Sequence, residues 1–184
     1  MLKKIRWQEN AVFSIQLRDD VFSLMQMRKN GLMQFFAISK ANNDWTGTDL
    51  GREKTLFTRF VAEKNLTSLI VDQLAREVVR PTGNAIETRM LSAVIGNNGQ
   101  HGARLIELTP EFESLGGVIL KEGLTPERDL DLIYAYELAG VAGDAEKIRK
   151  RLIRYFESGV NWDDAKSFIF KDIALPPASG THHE

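Results

Sequence analysis

The sequence predicts a single α+β domain over residues 1–175, in which C-terminal helices pack against a twisted, mainly antiparallel sheet. Three patterns support this. Apolar and polar residues alternate through the first forty residues, as in strands with one buried face. Short alternating segments return in the middle of the chain. Near the C-terminus, apolar residues recur every four positions, which is typical of an amphipathic helix. Residues 176–184 begin with two prolines and are predicted to form a disordered tail.

The N-terminal β-meander is predicted over residues 3–38. In its first strand, Phe13, Ile15 and Leu17 share one face. The second and third strands are separated by Asn30–Gly31, two residues that tolerate the positive φ angles of a type I′ hairpin turn. Three successive strands of this length predict a strongly twisted sheet, which could curl into a barrel-like form.

A polar loop follows the meander and contains Trp45. A loop tryptophan can anchor a partner protein, so Trp45 is a candidate partner-binding residue. The alternative is that its ring folds back onto its own domain, which is the commoner outcome.

The mixed middle of the chain covers residues 55–120. Within it, residues 66–74 have apolar residues at helical spacing, and Asn65 is a candidate N-cap. Residues 89–95 are apolar and short, so periodicity does not distinguish strand from helix. Residues 103–108 and 118–120 are predicted strands.

The C-terminal strand and helices are predicted over residues 129–170. From Asp129 to Leu138, apolar residues alternate with other residues over ten positions, which predicts a strand. Its second face would present Asp129, Asp131 and Glu137 in a row. A rigid acidic row of this kind can hold a cationic partner.

The two C-terminal helices are predicted from spacing and capping residues. Asp144 is a good N-cap, apolar residues recur every four positions from Ile148, and Gly159 ends the first helix. A short second helix follows, with Asn161 in a capping arrangement.

Charge is strongly segregated in this half of the chain, although the net charge is only −1. Residues 107–146 contain ten carboxylates and only two basic residues, Lys121 and Arg128. A basic cluster follows at once over residues 147–154. Such a stretch either forms a surface that steers a cationic partner or consists of the solvated faces of ordinary elements. The candidate partner-binding carboxylates are Asp129, Asp131, Glu137, Glu111, Glu113 and Glu127.

The composition excludes several classes of function. The chain has no cysteine, so thiolate chemistry and cysteine-ligated metal sites are excluded. No apolar run approaches the ~20 residues of a membrane span or forms a secretory signal, so we expect a cytoplasmic protein without a membrane partner. The near-neutral charge argues against direct nucleic-acid binding.

No catalytic constellation is evident. His101 is the one candidate base in an ordered region, and no serine neighbours it in a nucleophile motif. We therefore expect a protein that is not an enzyme and that needs no cofactor and no metal.

Two segments carry a family resemblance. Residues 4–20 (KIRWQENAVFSIQLRDD) combine a basic-aromatic lead, a V-F-x-I-x-L strand and a polar turn. Residues 129–170 contain DLDLIY and NWDDAKSF. Together they resemble bacterial polymorphic-toxin immunity proteins of the contact-dependent inhibition type. The sequence departs from that pattern at Asn10-Ala11 and at residues 21–23, where the family often has glycine.

The resemblance implies a cytoplasmic protein that binds and neutralises a cognate toxin domain. Such toxins are often nucleases, whose clefts are positively charged, and an acidic surface would suit one of them. Two alternatives remain open from the residues. The first is a generic interaction module or a homodimeric adaptor that pairs through an uncovered sheet edge. The second is an enzyme acting on a small molecule.

Overall fold

The computed structural model describes residues 5–96, 101–112 and 117–179, and has the predicted α+β class. In these described ranges, ten strands precede three α-helices. The strands are β1 (Val12–Arg18), β2 (Val21–Met27), β3 (Leu32–Lys40), β4 (Thr48–Asp49), β5 (Thr55–Phe60), β6 (Ile70–Leu74), β7 (Val79–Arg80), β8 (Arg89–Ile95), β9 (His101–Glu107) and β10 (Val118–Leu124). The helices are α1 (Pro126–Ala135), α2 (Ala145–Ser158) and α3 (Asp164–Ile169).

The predicted meander forms the centre of a five-stranded antiparallel sheet in the order β5-β3-β2-β1-β6. Phe13, Ile15 and Leu17 share the buried face, as the alternation predicts, and they join one core cluster with Ile148 and Leu152 of α2. The sheet has two edges, β5 and β6, so it is open and does not close into a barrel. The turn between β2 and β3 uses positive φ at both predicted positions, Asn30 and Gly31.

A second, three-stranded antiparallel sheet has the order β10-β9-β8. Residues 89–95, for which the sequence left strand and helix open, form a strand, because β8 pairs with β9 along its whole length. Helices α1 and α3 cover one face, where Leu91, Leu105, Ile133 and Ile169 form a core with Trp162. β4 and β7 form a short parallel pair beside the larger sheet.

The predicted helix over residues 66–74 is wrong. A short 3-10 turn over Glu63–Leu66 leads into β6, which pairs antiparallel with β1. The side chain of Asn65 donates to the carbonyl oxygen of Gly143 at 3.0 Å and does not cap a helix. Pairing with β1 satisfies the backbone of this segment and overrides a helical spacing that only five residues supported.

The predicted strand over residues 129–138 is also wrong, because the segment up to Ala135 is the helix α1. Pro126 occupies the first turn, where its fixed φ favours a helix and its missing N–H costs nothing. The buried positions of α1 are Asp129 and Ile133, which lie four residues apart on one helical face. The backbone departs from helical angles at Asp129, with φ −130° and ψ 21°. No acidic row on a strand therefore exists.

Helix α2 has the predicted ends. The Asp144 side chain accepts hydrogen bonds from the N–H groups of Glu146 and Lys147, and Gly159 adopts the left-handed conformation with φ 73°. Helix α3 is also present, but its N-cap is Asp163 rather than Asn161. Residues 176–179 of the predicted tail contain neither helix nor strand, and residues 180–184 lie outside the described part of the chain.

Replacing Gly159 with alanine should lower the free energy of unfolding by about 1–3 kcal/mol. The φ of 73° disfavours any side chain, and a Cβ there would lie 2.6 Å from the carbonyl oxygen of Ser179. Gly83→Ala is the matched control, because a Cβ at Gly83 meets nothing within 4 Å. Urea denaturation would measure both variants, and equal stabilities would contradict this account of the α2 terminus.

Candidate functional site

Asp129, the first residue of the predicted acidic row, is only 2% exposed. Its carboxylate accepts hydrogen bonds from Nζ of Lys121 on β10 at 2.5 Å and from the backbone N–H of Thr125 at 3.0 Å. The hydrogen bond from Lys121, and next that from Thr125, hold the pKa of Asp129 below its usual value. Asp129 therefore fastens α1 to β10, and its carboxylate is not presented to a partner.

Glu137, the last residue of that row, forms a buried bidentate ion pair with Arg151 of α2. The two terminal nitrogens of Arg151 donate to the carboxylate oxygens at 2.8 and 2.6 Å. The Glu137 side chain is 14% exposed and that of Arg151 is 7% exposed. Burial by itself raises the pKa of Glu137, but the charges of Arg151 and then Lys166 outweigh it and lower the pKa to about 2. Glu137 is thus a structural carboxylate.

Arg151 makes two further contacts. Its Nε donates to Oδ1 of Asn161 at 2.8 Å, and Asn161 in turn donates from Nδ2 to the carbonyl oxygen of Leu56 at 2.7 Å. Its guanidinium lies 3.8 Å from the ring centroid of Phe57, in a cation–π contact. One arginine therefore links α2 to β5, to the segment after α1 and to the loop before α3.

A second ion pair lies beside the first. Arg59 of β5 pairs with Oδ2 of Asp163, whose other oxygen accepts from the N–H of Ala165 and caps α3. Arg59 also donates to the carbonyl oxygen of Gly140 at 3.1 Å. The Arg59 and Asp163 side chains are 8% and 18% exposed, so water screens this pair little.

Lys166 completes the group. Its Nζ donates to the carbonyl oxygen of Ile133 at 2.8 Å and lies 5.2 Å from the Trp162 ring centroid. Burial lowers the pKa of Lys166, while the nearby charge of Glu137 acts in the opposite direction. We call five residues the buried charge cluster: Arg59, Glu137, Arg151, Asp163 and Lys166.

A cleft of about 270 Å³ opens beside the buried charge cluster, between β5, the Val141–Asp144 loop and the first turns of α2 and α3. Phe57 and Ile148 contribute apolar surface to its lining, and Arg59 and Arg151 contribute charge. Both arginines are already paired with carboxylates. Paired charges of this kind suit a structural role better than acid–base catalysis, for which a free titratable group is needed.

His101, the candidate base, lies against an aromatic ring of α3. The ring of His101 stacks on that of Phe168, with 4.9 Å between the centroids. Within residues 5–96, 101–112 and 117–179, no group of three or more His, Cys, Asp or Glu is placed to hold a metal ion.

Two of the predicted carboxylates are exposed together. Glu127 and Asp131 lie four residues apart on the outer face of α1. Glu122 of the neighbouring strand β10 is 66% exposed, but it lies 3.7 Å from Arg104 and follows Lys121, which faces Asp129 of α1, so it does not join this pair. We call Glu127 and Asp131 the acidic surface.

The other predicted site residues lie elsewhere. Glu111 is exposed, but its carbonyl accepts from the side chain of Asn30, which places it beside the β2–β3 turn. Glu113 lies outside the described residues. Trp45 is only 1% exposed, and its Nε1 donates to Oδ1 of Asn43 at 2.9 Å, so it folds back into the domain and cannot act as an exposed anchor.

An exposed apolar segment was missed by sequence reasoning. Val118, Ile119 and Leu120 are 68%, 44% and 46% exposed on β10, and Phe168 of α3 is 66% exposed. The sequence shows three consecutive apolar residues, which predicts the strand. It does not show that the strand is the edge of its sheet, and the exposure follows from that position.

The chain is a single-domain α+β protein with an open antiparallel sheet. In the part of the chain that the structure describes, no helix is both long enough and apolar enough to cross a membrane. A family model described as a domain of unknown function (DUF8309) matches residues 2–175, and the chain belongs to that family. Neither the curated proteins nor the solved structures include a significant match.

Replacing Glu137 with glutamine should lower the free energy of unfolding at pH 7 by about 3 kcal/mol, because the pKa of Glu137 is lowered from 4.5 to about 2. A lowered folded-state pKa means that this stability is present above about pH 4.5 and is lost as the pH falls toward 2. The difference between the wild type and the variant should therefore shrink over that range. Urea denaturation at a series of pH values measures it.

The control is Asp131→Asn, which removes an exposed carboxylate of α1 and should change stability by no more than about 0.5 kcal/mol at any of these pH values. A Glu137→Gln variant whose deficit stays constant from pH 7 to pH 2 would show that Glu137 is not ionised in the native protein.

Proposed function

We propose that this chain is an immunity protein that binds a cognate bacterial toxin and neutralises it through the acidic surface. The observation that carries the proposal is the exposure of two carboxylates on α1, Glu127 and Asp131, together with the exposed apolar residues of the adjoining strand β10. Exposed apolar residues supply buried contact area in a complex, and carboxylates around them favour a cationic partner.

A nuclease domain is the toxin class that fits this surface best. Its substrate cleft must attract nucleic acid, so the cleft carries positive charge. An inhibitor that presents exposed carboxylates on a rigid helix can occupy such a cleft. The resemblance of residues 4–20 and 129–170 to toxin immunity proteins supports the same class.

The buried charge cluster supports binding over catalysis. Its two carboxylates, Glu137 and Asp163, pair with Arg151 and Arg59 in a low-dielectric interior. Asp164 at the cleft is paired with Arg154 at 2.8 Å. These charges stabilise the fold, so we assign recognition of the partner to the acidic surface. A toxin that acts on intracellular nucleic acid would be met in the cytoplasm, which we propose as the location of the chain.

The second candidate is a generic interaction module, for which the same exposed strand would bind a protein that is not a toxin. The two candidates differ in genetic context. An immunity protein should be encoded beside a large secreted toxin, and the toxic domain of that neighbour should be its partner.

We expect co-expression of this chain to restore the growth of cells that produce the toxic domain encoded beside its gene. The double variant Glu127→Lys, Asp131→Lys should bind that domain at least about tenfold more weakly, because reversed charges repel a cationic cleft. Growth assays and isothermal titration calorimetry measure the two effects.

The matched control is Asp20→Lys with Glu77→Lys, which makes the same change in net charge at two exposed positions away from α1 and β10. It should protect cells as the wild type does. Equal loss of protection in both double variants would show that overall charge, rather than the acidic surface, is responsible. A neighbouring gene without a toxin would count against the whole proposal.

A further inference from the structure

The cleft between β5, the Val141–Asp144 loop and α2 has features of a small-molecule site that the proposed function does not use. Its volume is about 270 Å³, and Phe57, Val141 and Ile148 supply apolar lining. Val141 is 57% exposed, so apolar surface at the cleft remains open to a ligand. A cavity with apolar walls and a few polar groups is the usual form of a site for a small molecule.

The buried charge cluster beside the cleft contains one more cation than carboxylates. Its two arginines are each paired with one of its two carboxylates. Its third cation, Lys166, is 1% exposed and donates from Nζ to the carbonyl oxygen of Ile133. Among the described residues, no carboxylate lies within 4.0 Å of that Nζ. A buried charge without its own counter-ion is costly, so an anion near the cluster would stabilise it.

The three carboxylates that line the cleft are already compensated. Asp163 is paired with Arg59, and Asp164 is paired with Arg154 at 2.8 Å. Asp144 accepts hydrogen bonds from the first N–H groups of α2, where the positive end of the helix dipole offsets its charge. The cleft therefore has no carboxylate that lacks a positive partner and would attract a cation.

Two cations at the cleft have donors to spare. Lys147 in the first turn of α2 is exposed, and it forms no ion pair within 4.0 Å in the part of the chain that the structure describes. Arg59 has five N–H groups, but its acceptors are Asp163 and the carbonyl oxygen of Gly140, and its Nε has none. The cleft, the cluster and their ion-pair partners together contain five cations (Arg59, Lys147, Arg151, Arg154, Lys166) and four carboxylates (Glu137, Asp144, Asp163, Asp164).

We propose that the cleft binds a small organic carboxylate that carries an apolar group. The carboxylate accepts a hydrogen bond from Nζ of Lys147 and lies near the guanidinium of Arg59, while the apolar group contacts Phe57 and Val141. A bare inorganic anion gains the charge interaction without the apolar contact, and a cation is repelled by the uncompensated charge. The acidic surface on α1 contributes no residue to this cleft, so the site is independent of the proposed toxin binding.

The test uses phenylacetate and phenylacetamide as probes, which have the same shape although only the first is charged. NMR titration of the ¹⁵N-labelled chain at pH 7 measures their affinities. We expect saturable binding of phenylacetate with a Kd of about 1 mM or tighter, and binding of phenylacetamide at least about tenfold weaker. Acetate, which keeps the charge but lacks the ring, should also bind at least about tenfold more weakly. The amide shifts that change should centre on residues 141–148.

Two protein variants separate the charge contact from the apolar contact. Lys147→Gln should weaken phenylacetate binding by about fivefold or more and leave phenylacetamide binding unchanged, because it removes a charge-assisted hydrogen bond. The matched control is Lys150→Gln, an exposed lysine of the same helix that does not line the cleft, and it should bind phenylacetate as the wild type does. Val141→Ser should weaken both probes by about threefold, because it removes apolar surface that both share.

Several results would overturn the inference. Phenylacetate that shows no saturable binding up to about 10 mM would remove the site altogether. Equal affinities for phenylacetate and phenylacetamide would show that the cleft does not select an anion. Equal effects of Lys147→Gln and Lys150→Gln would assign the attraction to the overall charge of α2. Amide shifts centred outside the cleft, for example on β10, would place any binding elsewhere on the molecule.

Discussion

The ion pair between Glu137 and Arg151 is the interaction on which the rest of the molecule depends. It joins α2 to the segment after α1, and through Phe57 and Asn161 it reaches β5 and the loop before α3. A buried charge is tolerated only when its partner is in place, so this pair fixes the relative position of the elements that meet there. A pair of apolar residues could fill the same space, but it would not impose the same geometry.

The segment that carries Glu137 also connects the two larger sheets. Leu138 bridges to β8 of the three-stranded sheet, and four residues later Ala142 bridges to the end of β5 of the five-stranded sheet. Arg59 reinforces this connection by donating to the carbonyl oxygen of Gly140 between them. This short stretch thus contacts both larger sheets, whereas the edge strand β10 keeps its apolar residues exposed.

The carboxylates of the acidic stretch have three separate roles. Asp129 and Glu137 are buried in ion pairs, Asp144 caps a helix, and Glu127 and Asp131 face solvent. The sequence shows how many carboxylates the stretch contains, but it does not show which of them are buried, because burial depends on contacts with distant residues. Glu137 and Arg151 are fourteen positions apart, and nothing local in either segment reveals their pairing.

The sequence by itself determined the β1–β3 meander, the positive-φ turn at Asn30 and both ends of α2, because alternation, turn residues and caps act over a few neighbouring positions. It also contained the correct signal for α1, a proline in the first turn, although a period-two pattern pointed to a strand. Only the tertiary structure decided that Ile70–Leu74 pairs with β1, that Trp45 is buried and that β10 is an uncovered edge. Each of these depends on which distant strand or core lies alongside, and that is a property of the whole packed chain.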